Sequence, residues 1–203
     1  DGPQALAVDG SGNVYVAGTL SNNVFRIAAG GGVTHLVGPA AGGAGVLNGP
    51  RDLAIGAGGS LYVASLFNDT VFRRTAAGVV SVVLGAAGDG AGNPLDAPNA
   101  LGVDLSGNLF VLGGLSENAF RVTPGGLVTE IIDNSGDGLG NSMISPMDLA
   151  VATSGKVYVT GQSTRNCFEV TPAGAIKEII DATGDGTGNI LSFATGVAVN
   201  GVG

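Results

Sequence analysis

The chain has few of the residues from which reactive or cross-linked sites are built. Its 203 residues include one cysteine, one histidine, two methionines and no tryptophan. A single cysteine excludes an intrachain disulfide framework, and one cysteine with one histidine cannot form a standard structural zinc site. Charged side chains make up only 12% of the residues, and the net charge is −8. Because nucleic acids and anionic membranes attract clustered lysine and arginine, this balance argues against both as partners.

Glycine is the abundant residue, with 38 copies, and the hydrophobic fraction is 44%. Glycine at this level without the triplet period of collagen is typical of many short strands joined by tight turns. No apolar run approaches the roughly 18–20 residues of a membrane-spanning helix. Small polar residues combined with so little cysteine favour an extracellular or periplasmic location.

An internal repeat dominates the sequence. Its period is 47 to 48 residues, as measured between Leu6, Leu53, Leu101, Leu149 and Val197. Each unit holds four short apolar segments separated by turn-forming residues, which predicts an all-β fold of four-stranded β-propeller blades in one domain, 1–203. The predicted repeats span approximately residues 1–48, 49–96, 97–144 and 145–192, with a partial fifth at 193–203.

The aromatic residues fall into two columns of this repeat. The column in the second strand contains Tyr15, Tyr62, Phe110 and Tyr158. The column in the third strand contains Phe25, Phe72, Phe120 and Phe168. Such regularity is expected where one sheet packs on the next, since an aromatic pair adds about 0.5–1.5 kcal/mol beyond its buried area. A β-sandwich is the alternative fold.

Three segments of the first unit, residues 3–16, 22–27 and 30–36, carry a pattern that resembles the NHL repeat. The Gly-Asp-Gly connectors at 88–90, 136–138 and 184–186 are similar to the blade-to-blade turns of that family. The resemblance implies a propeller whose loops decide its function. Lyases of similar architecture rely on several histidines near the central channel. This chain has a single histidine, so lyase activity would lack its usual residues here.

No catalytic constellation is recognisable in the sequence. His35, the only histidine, falls in the fourth strand of its unit, where we expect an exposed surface residue. Cys167 shares its column with Val24, Val71 and Ala119, which indicates a small apolar filler. We therefore name no catalytic residue and favour a protein that is not an enzyme.

Polar residues gather where the innermost strands begin. They are expected to rim one mouth of the central tunnel, where propeller ligands usually bind. A solvated loop is the alternative interpretation. The candidate ligand-binding residues are Gln4, Arg51, Asp52, Asn99, Met147 and Asp148.

Two connectors between repeats have oxygen donors at the spacing of a calcium loop. The candidate ligands are Asp133, Ser135, Asp137 and Asn141 in one connector, and Asp181, Thr183, Asp185 and Asn189 in the other. Ile144 and Ser192 stand where a bidentate glutamate is expected, so any Ca²⁺ bound there would be held weakly. The alternative is a Gly-Asp-Gly turn that joins one blade to the next.

Two functions remain open. We expect a non-catalytic scaffold or binding propeller that presents its loops to a protein or carbohydrate partner. The alternative is a Ca²⁺-dependent hydrolase or lyase with a site at the central channel, which would need three or more Asp, Glu or Asn side chains to converge there.

The partial fifth repeat predicts self-association. Four units plus one inner strand at 196–200 leave strand edges and apolar blade faces to be covered, either by the remainder of a longer chain or by a second copy. Size exclusion with light scattering is expected to detect a dimer or larger species. Dissociation on deletion of residues 194–203 would indicate strand exchange. A monodisperse 19.7 kDa monomer that binds no hydrophobic dye would contradict the prediction.

Overall fold

The computed structural model describes residues 2–200, which form four antiparallel sheets. The first sheet contains β1 (Pro3–Val8), β2 (Val14–Gly18), β3 (Asn23–Ile27) and β4 (Val33–Val37). The second contains β5 (Pro50–Gly56), β6 (Ser60–Ser65), β7 (Thr70–Arg74) and β8 (Val80–Leu84). The third contains β9 (Pro98–Val103), β10 (Leu109–Gly113), β11 (Asn118–Val122) and β12 (Val128–Ile132). The fourth contains β13 (Pro146–Val151), β14 (Val157–Gly161), β15 (Asn166–Val170) and β16 (Ile176–Ile180).

Each sheet is one blade, because its four strands are consecutive in the chain and pair in sequence order. The first strands of successive blades lie side by side, β1 on β5, β5 on β9 and β9 on β13. These four strands are therefore the inner strands. Three 3-10 turns, Ala41–Gly43, Ala57–Gly59 and Leu66–Asn68, are the helical segments of the described chain, and none of its helices could cross a membrane.

The hydrophobic core lies between the blades. It consists of three clusters, and each cluster combines residues of two neighbouring sheets. Phe72, Phe120 and Phe168 are almost completely buried because each side chain faces the preceding blade. Phe25 is only partly buried and packs against His35, with ring centroids 5.2 Å apart. Six of the eight residues in the predicted aromatic columns therefore lie in contacts between blades, namely Phe72, Phe120 and Phe168 with Tyr15, Tyr62 and Phe110.

The segment at residues 193–200 differs from the predicted fifth inner strand. It forms no strand, because within residues 2–200 it has no neighbouring strand with which to pair. The amide of Val197 nevertheless donates to Oδ2 of Asp148 at 2.9 Å. The equivalent amide of β9, that of Leu101, donates to Asp52 at 2.7 Å. The segment therefore begins as an inner strand does, and residues 201–203 of the predicted partial repeat lie outside the described residues.

The blade connectors depend on one glycine conformation. Gly136 has φ of +65°, and a Cβ placed there would lie 1.8 Å from the carbonyl oxygen of Asn141. Gly184 has the same geometry against Asn189. Gly138, two residues further along, also has a positive φ of +71°, but a Cβ there would meet nothing within 4 Å. Backbone crowding thus makes only the first glycine of each connector irreplaceable.

Gly136→Ala is expected to lower the free energy of unfolding by at least about 2 kcal/mol, because the new methyl group meets backbone that cannot move without breaking the turn. The matched control is Gly138→Ala, which adds only the left-handed strain of about 1 kcal/mol. Urea denaturation measures both values. Equal losses in the two variants would contradict the role given to crowding.

Candidate functional site

The starts of the inner strands share one edge of the molecule with the tips of the hairpins between second and third strands. Antiparallel pairing sets this arrangement, since Pro50 lies opposite Ser65 and Pro146 lies opposite Gly161. We call this the mouth edge and define it by the inner-strand starts and hairpin tips, residues 2–5, 19–22, 49–52, 66–69, 96–99, 114–117, 145–148 and 162–165.

Inter-blade hydrogen bonds organise the mouth edge. One hairpin residue of each of the first three blades is in the left-handed conformation, and its side chain accepts from the amide that heads the next inner strand. The donor and acceptor pairs are Gly49 N to Asn22 Oδ1 at 2.7 Å, Ala97 N to Asp69 Oδ1 at 2.9 Å and Ser145 N to Glu117 Oε1 at 3.0 Å. Sequence analysis missed these bonds, although acceptors at equivalent positions 22, 69 and 117 were a detectable signal.

Two of the candidate rim residues, Asp52 and Asp148, accept hydrogen bonds from the chain 49 residues further on instead of lining the cavity described below. Asp52 accepts from Leu101 of β9, and Asp148 accepts from Val197 of the segment 193–200. Burial raises the pKa of Asp52 to about 6, against the opposing effect of the hydrogen bonds from Leu101 and Leu53, and the charge of Asp148 raises it further. Burial also raises the pKa of Asp148, which accepts from Val197 and Leu149. Asp52 therefore links two blades, and Asp148 links the fourth blade to the segment that follows it.

A cavity of about 680 Å³ opens at the mouth edge across the second, third and fourth blades. Three candidate rim residues, Arg51, Asn99 and Met147, line it, and Gln4 reaches it indirectly by accepting from Arg51 Nη1 at 2.6 Å. Sequence analysis missed Leu66, Phe67, Asp69, Asp96, Leu115 and Pro146, which complete most of the lining. We call this space the mouth cavity.

The charged groups of the mouth cavity form a close acidic pair and one cation. Loss of water around Asp96 raises the pKa of its carboxyl group, and the charge and hydrogen bonding of Asp69 raise it further. Arg51 is directed along the rim towards Gln4. The amide nitrogen of Asn99 donates to the Pro146 carbonyl at 3.0 Å, while its buried Oδ1 has no hydrogen-bond partner. The cavity thus combines apolar walls with negatively charged groups and an unused acceptor.

A second cavity of about 410 Å³ lies at the opposite edge, between the third and fourth blades. Its carboxylates already have partners, since Asp104 accepts from the side chain of Asn108 and Glu130 accepts from that of Asn118. We therefore regard the larger mouth cavity as the candidate site.

The candidate calcium connectors fold as self-contained turns. Oδ1 of Asp137 accepts from the Leu139 amide at 2.9 Å, and Oδ2 accepts from the Asn141 side chain at 2.7 Å. These bonds lower the pKa of Asp137. The other candidate residues are bonded within their own loops in the same manner, Asp133 to Ser135, Asp181 to Thr183 and Asp185 to Asn189. Because the Asn141 nitrogen faces the carboxylate, this geometry fits the turn interpretation.

Among residues 2–200, no three His, Cys, Asp or Glu side chains come together in a way that could hold a metal ion.

His35 and Cys167 are both in structural surroundings. His35 is exposed on β4, and its Nε2 lies 2.8 Å from Oδ1 of Asn23. Glu178 occupies the same column in the fourth blade and accepts from Asn166 at 2.8 Å. Side chains in this column of the fourth strand thus bond an asparagine of the third strand. Cys167 is buried, and burial raises its pKa to about 11, which disfavours the reactive thiolate.

Asp52 is expected to make stability depend on pH. The ordinary pKa of an aspartate side chain is 3.8, whereas the pKa of Asp52 is about 6 in the folded chain. The folded state therefore binds the proton more tightly than the unfolded state does, and the free energy of unfolding falls as pH rises from about 4 to 6. Asp52→Asn removes this loss while keeping an acceptor for Leu101. The variant should match the wild type near pH 3.5 and exceed it at pH 7 by on the order of 2 kcal/mol.

Chemical denaturation at several pH values measures this difference. Asp9→Asn is the control, and its effect on stability should depend on pH in the opposite direction, because the Asn13 side chain lowers the pKa of Asp9 to about 2. There the wild type should lose stability relative to the variant as pH falls. A difference between Asp52→Asn and wild type that is constant from pH 4 to 7 would refute the prediction.

The fold is similar to that of several solved structures, although the sequence matches no known family profile and no curated protein. Virginiamycin B lyase from Staphylococcus aureus aligns with a TM-score of 0.69 at 18% identity, covering 87% of this chain and 55% of the lyase. A streptogramin B lyase aligns with a TM-score of 0.70 at 14% identity, covering 87% and 54%. A gluconolactonase from Xanthomonas campestris aligns with a TM-score of 0.63 at 17% identity, covering 87% and 59%.

These neighbours are six-bladed β-propellers, and the chain spans a little over half of their length. Identities below 20% establish a common fold and leave activity open, because one fold supports many functions. The four four-stranded blades of this chain are a partial β-propeller.

Proposed function

We propose that the chain is a non-catalytic binding propeller that engages a protein partner at its mouth edge. One observation carries this proposal. Three successive blades present a large apolar side chain at the same hairpin position, Leu20, Phe67 and Leu115, which are 77%, 64% and 74% exposed. Phe67 and Leu115 also form part of the mouth cavity.

A single exposed leucine needs no explanation, but an aligned set bordering a cavity does. Burying one such side chain completely contributes about 1.5–3 kcal/mol. Burial of all three would therefore supply a large part of the binding free energy of a specific complex. Protein interfaces commonly combine an apolar centre and a pocket with a polar rim. The mouth edge has this composition, with Gln4, Arg51 and Asp69 around the apolar tips.

The groups of the mouth cavity suit recognition better than bond breaking. None of the described residues that line it is a histidine or cysteine, and its arginine is hydrogen-bonded to Gln4. A carbohydrate is the other partner considered. We favour a protein because Phe67 has the only aromatic ring among the described lining residues, whereas Leu66, Leu115 and Met147 offer flexible apolar contacts.

We also propose that the repeats are of the NHL type. NHL-type repeats would account for the repeat pattern, and they are built from loops that vary on a constant set of strands. Self-association through the terminal blades is also proposed, since Leu6 and Val8 of β1 are 64% and 56% exposed.

A peptide-library selection tests the proposal. Wild-type protein should enrich peptides that a mouth variant, Leu20→Ser with Phe67→Ser and Leu115→Ser, no longer binds. The matched control is Val79→Ser with Leu105→Ser and Leu127→Ser, which removes three exposed apolar side chains that lie outside the mouth edge. This control should retain the selected peptides with affinity changed less than about threefold.

Both triple variants should keep the wild-type circular dichroism spectrum, since the changed side chains are exposed. Peptides that bind the mouth variant as well as the wild type would contradict the proposal. So would a glycan array that gave binding dependent on the mouth edge while the peptide selection gave none, because the partner would then be a carbohydrate.

A further inference from the structure

We infer that the mouth cavity receives a cationic side chain with an aliphatic stem, of the lysine type, from the partner. The stem would lie along the apolar walls, and the ammonium group would lie between Asp69 and Asp96. This inference rests on the proposed function and names the chemistry that the site selects.

The size and walls of the mouth cavity suit such an insertion. Its volume of about 680 Å³ falls within the range of ligand cavities, roughly 300–1,000 Å³. Phe67 and Leu115 come from the second and third blades, and Met147 comes from the fourth, so an inserted chain would be contacted by three blades in an open cavity. Lysine stems pack along apolar surfaces while the charged end stays at a polar rim. The exposed ring of Phe67 adds a face that attracts cations.

The charges at the cavity favour a cation over a neutral or anionic group. Asp69 commits Oδ1 to the amide of Ala97 and also lies within hydrogen-bonding reach of Asp96, so the two carboxyl groups stand next to each other at the cavity. Asp96 is exposed, and its carboxyl group is destabilised in the charged form by Asp69. An ammonium group between them would relieve that repulsion. Arg51, the cation that also lines the cavity, is held by Gln4 and does not neutralise the pair by direct hydrogen bonding.

The net charge of the whole chain also favours binding of a cation. A net charge of −8 attracts cations over distances up to about the Debye length, roughly 10 Å in 0.1 M salt. A partner segment with lysine among apolar residues would match both the charge of the cavity and the apolar tips around it.

A titration with two probes that share the same four-carbon side chain tests the inference. Nα-acetyl-lysine N-methylamide carries the ammonium group, and Nα-acetyl-norleucine N-methylamide has the same stem without it. Amide signals are followed by two-dimensional NMR of the full chain. We expect the lysine probe to shift the amides of Phe67, Ala97 and Leu115 and to bind about tenfold more tightly than the norleucine probe. Raising NaCl from 50 to 500 mM should weaken only the lysine probe.

Asp96→Asn should reduce the preference for lysine to about threefold or less, because it removes one of the two carboxylates. Asp89→Asn is the matched control, since it removes the same charge from the same connector outside the mouth cavity and should leave the preference unchanged. Both variants should retain the wild-type spectrum elsewhere.

Equal affinity for the two probes would overturn the inference while leaving protein binding by the apolar tips in place. Lysine binding that shifts other residues, or that survives Asp96→Asn undiminished, would also overturn it. If neither probe bound, the inference would fall, whereas the peptide selection would still decide the proposed function by its dependence on Leu20, Phe67 and Leu115.

Discussion

Packing of one sheet against the next is the contact on which the rest of the structure depends. No blade has a core of its own, because every hydrophobic cluster takes residues from two blades. The third-strand phenylalanines Phe72, Phe120 and Phe168 sit at the centre of these contacts. The inter-blade hydrogen bonds accepted by Asn22, Asp69 and Glu117 then fix how one inner strand starts relative to the preceding hairpin. The mouth cavity exists because this geometry repeats.

The repeat period and the aromatic columns were enough to predict the blades, since both follow directly from residue spacing. The same spacing located Arg51, Asn99 and Met147 at the cavity, because the start of an inner strand occupies one edge whatever its side chain. Asp52 shares that position but points towards the next blade and accepts from Leu101. The direction of the Asp52 side chain depends on the local backbone conformation and on its partner Leu101, 49 residues away. The repeat pattern predicts neither of these.

The residues that sequence analysis missed are found in the variable loops. Phe67 and Leu115 share a column with Leu20, but the fourth blade has Ser163 there, and the sequence alone does not show that these apolar side chains are exposed. Asp96 shares its column with Asn48 and Ile144, which gives no consistent chemical signal either. The constant positions of this fold hold the blades together, whereas changing positions such as these line the mouth cavity. A site formed by three blades is therefore difficult to find before the blades are assembled.

Placing the core between blades also determines how stability is distributed. The free energy of folding is then close to a sum of nearest-neighbour terms, as in other repeat proteins. The two central blades contribute to two interfaces each, and β10 is accordingly buried along its whole length. The first described blade contributes to one, and alternate residues of β1 face solvent. Local opening of the described blades is therefore expected to cost most where a blade is packed on both faces, and β9 and β10 belong to such a blade at the mouth cavity.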